Sequence, residues 1–264
     1  MEPLTLPQEL IDKIIDQFSK TAGSNENSVL NKRALASLSM VARAWRERSQ
    51  KRLFSVIDFR NLSSTDIAEA DLDEFGPMYS LTRDLNIDGY WEVLFQFDPV
   101  AKASLRCFRN LESLSLSGWY FKFLSADQLS ASFSHLGETL TQLKLGGVAS
   151  SESLIHLTLM FPRLRVLEIS ISGVIRQETR RIPVDQLPTT RCFQGYLHLC
   201  GLSEAHDAFL AFISSTSPRF ESICIDDCET GNEMWELLNS SAASLESLQL
   251  YIHKDDLRGE FLGP

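Results

Sequence analysis

Long apolar runs are missing from this 264-residue chain. Nothing approaches the roughly 18 consecutive apolar residues of a membrane-crossing helix, so no segment is expected to span a bilayer. A surplus of positive charge is missing too: Lys and Arg total 25 against 35 Asp and Glu, for a net charge of −10. General nucleic-acid binding is therefore not expected, because phosphate contacts need excess Lys and Arg, although a local basic patch stays open. Cysteine is sparse, and Cys107, Cys192, Cys200, Cys224 and Cys228 are odd in number and scattered. They spell no extracellular disulfide framework and suit a reducing compartment. The opening MEPLTLPQELIDK carries Glu2, Glu9 and Asp12 where a signal peptide has a basic stretch and an uninterrupted apolar one. A cytoplasmic or nuclear location is expected.

Catalytic signatures are lacking as well. His135, His156, His198, His206 and His253 form no HExxH, and no GxSxG, P-loop or GxGxxG occurs. Cys224-x-x-x-Cys228 has no second pair to complete a zinc site. No catalytic residue, metal or cofactor is expected, although a triad assembled from distant positions is recognised by geometry and stays open at this level.

What is present is the balance of a globular protein, 44% apolar and 23% charged, enough for a core without disulfides or metals. In LTLPQELIDKIIDQF, residues 4–18, Leu10, Ile11, Ile14, Ile15 and Phe18 recur at helical spacing. Thr5 and Gln8 are three apart, as in a capping box, and Pro7 falls in the first turn. The polar SKTAGSNENS ends that helix. In NKRALASLSMVARAWRERSQKRLF, Leu35, Leu38, Ala42 and Trp45 again share one helical face, and Leu53-Phe54 close the segment before an extended SVIDF. A unit of about 50 residues is marginal alone and must pack on something.

The series Leu6-Pro7-x-Glu9-Leu10-Ile11-x-x-Ile14-Ile15, Leu35-x-x-Leu38-x-x-Val41, Trp45 and Leu53-Phe54 resembles an F-box over about residues 4–57. The resemblance implies a three-helix docking module that grips the Skp adaptor of a cullin-based ubiquitin ligase. On that likeness Leu6, Pro7, Leu10, Ile11 and Ile14 would face the adaptor, and Leu35, Val41 and Trp45 would be shared between core and interface.

Beyond a connecting segment at 58–80, the chain repeats itself. Leu111/Leu114/Leu116, Leu140/Leu143/Leu145, Leu164/Leu167/Ile169, Phe220/Ile223/Ile225 and Leu245/Leu248/Leu250 fit an apolar-x-x-apolar-x-apolar unit. Leu81/Leu85/Ile87 and Phe193/Leu197/Leu199 fit with one extra residue. The middle residues 85, 114, 143, 167, 197, 223 and 248 are 24 to 30 apart, near the about 20–29 residues of a leucine-rich repeat. Helix-like stretches such as LSADQLSASFSHL, SESLIHLTLMF, SEAHDAFLAFI and TGNEMWELL lie between them. The expected fold is α/β: a small all-α F-box-like module at 4–57, then a leucine-rich-repeat solenoid of about seven irregular repeats at 81–253. Parallel strands would lie inside and helices outside, with a tail at 254–264. The alternative is a compact α/β domain with ordinary strands. The whole resembles F-box proteins carrying degenerate leucine-rich repeats.

A concave sheet would display the residues between the inward leucines: Asn86, Ser115, Lys144, Glu168, His198, Cys224 and Gln249. Ser113, Ser117, Gln142, Ser170, Asp226, Ser247 and Tyr251 flank them. This polar, mixed face suits a protein or peptide partner. Trp119 and Tyr120 are candidate anchors just beyond the second unit. Gly146-Gly147 reads as a turn ending a strand, and residues 173–190, with Arg176, Arg180 and Arg181, read as a protruding loop. The expected function is a substrate receptor, bridging the Skp adaptor and its cullin scaffold to an unknown target protein. The alternatives are a stand-alone repeat scaffold, with the first helices as its cap, and a hydrolase, which requires a deep pocket with convergent polar groups.

Overall fold

The computed structural model describes residues 7–20, 25–41, 43–59, 79–88, 106–120, 126–171, 192–228 and 231–251. It opens with three helices, α1 (Gln8–Lys20), α2 (Asn25–Val41) and α3 (Arg43–Leu53). The carbonyl of Pro7 accepts from the Ile11 N–H at 3.2 Å, so the proline stands at the N-cap, one place before the first turn. Residues 25–28 of the polar stretch already belong to α2. The periodic segment 31–54, read as one helix, falls in two elements, α2 ending at Val41 and α3 beginning at Arg43. Ile11, Ile15 and Leu35 form a small buried core, with Leu38, Trp45 and Leu53 packed against it. Asp16 on α1 ties this bundle to α3. It accepts from Arg48 Nη2 at 3.0 Å and from Arg52 Nε at 2.9 Å.

Eight strands follow in one parallel sheet, ordered as they occur in the chain. They are β1 (Val56–Phe59), β2 (Asp84–Asp88), β3 (Ser113–Tyr120), β4 (Gln142–Val148), β5 (Val166–Ile171), β6 (Gln194–Cys200), β7 (Arg219–Asp226) and β8 (Ser247–Tyr251). Between the later strands run α4 (Ala126–Phe133), α5 (Ser151–Met160), α6 (Asp207–Ser215) and α7 (Asn232–Ser241). The pleat sends alternate side chains to opposite faces. On one face Leu85, Leu114, Leu143, Leu167, Leu197 and Ile223 come into register and are buried. Phe133, Leu154, Leu157, Phe209, Phe212, Met234 and Leu237 from the helices share that core. The helices therefore cover the leucine face. At roughly 1.5–3 kcal/mol for each fully buried large apolar side chain, this one core dominates the stability of the chain.

Local chemistry fixes the helix starts. The Ser150 hydroxyl accepts from the Ser153 N–H at 3.2 Å and caps α5. Buried His206 sits at the turn into α6. Its Nδ1 accepts from the Ser203 N–H at 3.2 Å, so Nε2 carries the proton and donates to the Ala149 carbonyl at 3.3 Å. Among the five histidines, this one is a structural bracket between neighbouring strand–helix units.

Two expectations for the strand units change. Leu81 is only half-buried, whereas Thr82 is fully buried three residues before Leu85, in the slot filled elsewhere by Leu111 and Leu140. The unit at 82–87 thus needs no extra residue. Phe193 is buried four residues before Leu197, so its unit keeps the extra residue, and beside it the β6–β7 register shifts between Gly195 and Tyr196, where Glu221 of β7 is skipped. Gly195 there has φ +92°, and a β-carbon would run into the Arg165 carbonyl. Gly146 and Gly147 do not end β4. They pair within it with Ser170 and Ile171, and an added β-carbon on Gly146 would lie 3.2 Å from that of Ser117. The close approach of β3 and β4 is why a residue without a side chain serves inside a strand.

Candidate binding face

The face opposite the leucines carries the residues the pleat points the other way. Its central row follows the register without a gap: Asp58, Asn86, Ser115, Lys144, Glu168, His198, Cys224 and Gln249. All seven expected display residues therefore stand side by side. From Asp58 to His198 they are half-buried, Cys224 is buried and Gln249 is exposed. A second row runs Val56, Asp84, Ser113, Gln142, Val166, Tyr196, Ser222 and Ser247. A third brings Ser170, Cys200, Asp226 and Tyr251 together across β5 to β8.

Electrostatically the rows are lopsided. Lys144 is their only Lys or Arg among the described residues, and its Nζ is held by Glu168 Oε1 at 2.8 Å. Asp58, Asp84 and Asp226 are further acids on the face. Burial pushes the Asp84 carboxyl up, the Ser113 hydroxyl offsetting part of this and the Glu112 carboxylate adding to it.

Toward β6 and β7 the face turns aromatic and sulfur-rich. The Tyr196 and His198 rings lie 6.4 Å apart between centroids. Tyr196 hydrogen-bonds the Cys224 side chain. Burial, then the charge of Asp226, hold the Cys224 thiol above its ordinary range. Cys228 is pushed up to about 11, chiefly by burial, and its Sγ donates to the Asp226 carbonyl at 3.4 Å. Protonated thiols of this kind are poor nucleophiles and poor ligands. No cluster of three or more His, Cys, Asp or Glu with metal-binding geometry occurs among the described residues. The chemistry on offer is recognition through carboxylates, hydroxyls and two tyrosines.

No family model matches the chain, and no curated protein matches it.

A second surface lies on the N-terminal helices. Leu10 is 46% and Ile14 38% exposed, one helical turn apart on α1, and Pro7 is exposed beside them. Met40 on α2 is exposed too. Ile11, grouped with this strip in the sequence reading, is buried instead. It faces Ile15 and Leu35 in the bundle core, and a partner cannot reach it. Leu35 is likewise core, and Trp45 is half-buried against it. Leu6 lies outside the described residues, as do the loop at 173–190 and His253. Val41 lies in α2, and Trp119 and Tyr120 in β3, as backbone positions only.

Asp58, Val56, Asp84, Val166, Tyr196, Ser222 and Cys200 on this face were not read from the sequence, and two of them left a signal there. Tyr196 precedes Leu197 as Ser113 precedes Leu114, and reading that slot through every unit finds it. Asp58 was divided from the sheet because β1 straddles the boundary between helical module and connecting segment. Its signal is the match of Ile57-Asp58-Phe59 to Leu85-Asn86-Ile87.

Proposed function

We propose that this chain is a substrate-recognition subunit of a Skp–cullin–F-box ubiquitin ligase, working in the cytoplasm or nucleus. Its N-terminal helices bind the Skp adaptor, and its polar sheet face holds a target protein. The carrying observation is the apolar strip of Leu10 and Ile14, left open on a helix whose opposite face is already buried. Exposed apolar side chains grouped on one face mark a surface that has a partner. Leu10, Ile14 and Pro7 supply the adaptor contact, while Ile11, Leu35 and Trp45 hold the helices in place beneath it.

On this reading the sheet and its helices form a leucine-rich-repeat solenoid. Support comes from the chain-order parallel sheet, the leucines in register and the single helical layer over them. The receptor does no bond chemistry. It raises the effective concentration of the target beside ubiquitin-transfer machinery carried by other subunits.

A stand-alone scaffold with a helical cap is the second reading, favoured by one feature. Only Phe54 and Ser55 separate α3 from β1, so the bundle runs straight into the sheet as a cap does. Co-expression with a Skp adaptor followed by size-exclusion chromatography separates the two. We expect a stoichiometric complex that Leu10→Asp/Ile14→Asp abolishes without unfolding the chain. A folded wild-type chain that never co-elutes with the adaptor would establish the scaffold reading instead.

A further inference from the structure

The charges of the sheet face are uneven in sign and in place. Its rows carry Asp58, Asp84, Glu168 and Asp226 against Lys144, the one Lys or Arg in them among the described residues. Glu168 Oε1 holds the Lys144 Nζ at 2.8 Å, so the middle of the face is neutralised from within. The other carboxylates stand toward the two flanks, Asp58 and Asp84 on β1 and β2 and Asp226 on β7.

Each flank suits a cation. The Asp226 carboxylate accepts from the Cys200 thiol at 3.9 Å, a weak and uncharged partner. Its register neighbour on β8 is Tyr251, whose side chain is 57% exposed. A guanidinium or ammonium group beside them is held twice, by the carboxylate and by the face of the ring. On the other flank Asp84 is half-buried and accepts from the Ser113 hydroxyl. A cation seated there is partly desolvated, and attraction is stronger than in open water. A phosphate or an acidic segment meets the reverse. Among the described residues the rows offer it one cation, already bound to Glu168, and carboxylates that repel it.

We propose that the sheet face takes a basic, unphosphorylated segment of its target protein. The segment lies across the strands in extended form, with one Lys or Arg at Asp84 and another at Asp226 and Tyr251. The five steps from β2 to β7, at about 4.8 Å each, span roughly 24 Å, which about seven extended residues cover. Asp58 carries the acidic flank one strand beyond Asp84. This inference rests on reading the sheet face as the target surface, and it does not depend on the Skp adaptor.

The test is fluorescence anisotropy of a labelled peptide of alternating Arg and Ser, about ten residues long, against the full chain in about 50 mM salt. Saturable binding that weakens as salt rises is expected. Asp84→Asn/Asp226→Asn should weaken it about tenfold and keep the wild-type circular dichroism. Asp226→Asn alone should weaken it about threefold, and it replaces the double variant if that fails to fold. Glu138→Gln/Glu236→Gln removes the same charge from exposed positions outside the rows and should leave the affinity unchanged. Equal losses in the two double variants would overturn the proposal, because attraction to an acidic chain as a whole would then explain the binding. So would a phosphoserine form of the peptide that binds as well, or an Arg-Ser peptide that does not bind. Co-elution with the Skp adaptor without peptide binding sinks this inference alone. Peptide binding without co-elution supports it while the ligase reading falls.

Discussion

Thr82 shows how one residue can break a pattern that the fold keeps. The slot three before the marker residue asks for an apolar side chain, and Leu111, Leu140 and Leu164 provide one. Leu81 invites the same reading, but the register of β2 is set by Leu85 and Ile87 together with pairing to β3, which puts Thr82 inside. Among the described residues its buried hydroxyl has no hydrogen-bond partner. Leaving a hydroxyl unpaired in an apolar site costs about 1–3 kcal/mol. Thr82→Val keeps the shape and removes the hydroxyl, so the variant is expected to gain about 1 kcal/mol by urea unfolding. A loss of stability would show that the hydroxyl has found a partner. Legibility here failed by a single position, because leucine is common enough to satisfy a motif by accident.

At the scale of the element, β6 carries the clearest irregularity. Phe193 and Leu197 are four apart and share a face by the pleat, and where β6 pairs with β7 the register skips Glu221, with Gly195 opposite Phe220 and Tyr196 opposite Ser222. The slip lies against Gly195, whose positive φ and closeness to the Arg165 carbonyl leave no room for a side chain. Gly195→Ala is expected to cost about 1–3 kcal/mol, read as a lowered urea midpoint. An unchanged midpoint would mean that the bulge relaxes elsewhere in the strand. The extra residue was legible from the spacing, but the slip beside it was not, since only pairing to β7 shows where the register shifts. Periodicity alone did not mark the division between α2 and α3, for a related reason. Helical periodicity runs on through Ala42 to Trp45, and the bundle divides it by packing both halves on one small core.

At the scale of the whole molecule, the described residues form two separate cores. The large one lies between sheet and helices, and the small one lies within α1 to α3. The small core leans on the Asp16 contacts to Arg48 and Arg52. Burial raises the Asp16 carboxyl, but hydrogen bonds and charge from the two arginines outweigh it and leave the group below its ordinary 3.8. A carboxyl lowered in the folded state stabilises at pH above its ordinary value, and that contribution is lost as pH falls through the lowered one. Asp16→Asn should therefore destabilise the bundle at pH 7. Its melting temperature should converge with the wild type's as pH drops through 3.8 and below. A gap that stays constant with pH would remove the ion pairs from the account. The helical bundle and the sheet face also serve the proposed receptor as two separate surfaces, one apolar and one acidic.

The sequence by itself determined the α/β class, the parallel strands and the row of display residues from Asn86 to Gln249. Period-two alternation and a spacing of 24 to 30 residues are local properties, written in consecutive side chains. Tertiary structure alone decided that Ile11 is core while Leu10 and Ile14 are open, because three neighbouring apolar residues on one helix are divided only by what packs against them. It alone made Val56–Phe59 the first strand and gave Tyr196 a place beside His198 and Cys224, since strand pairing joins residues far apart in the chain. It also left Leu248 and Leu250 exposed among the described residues. Their pattern is that of every buried leucine before them, and burial depends on a neighbour that the pattern cannot supply.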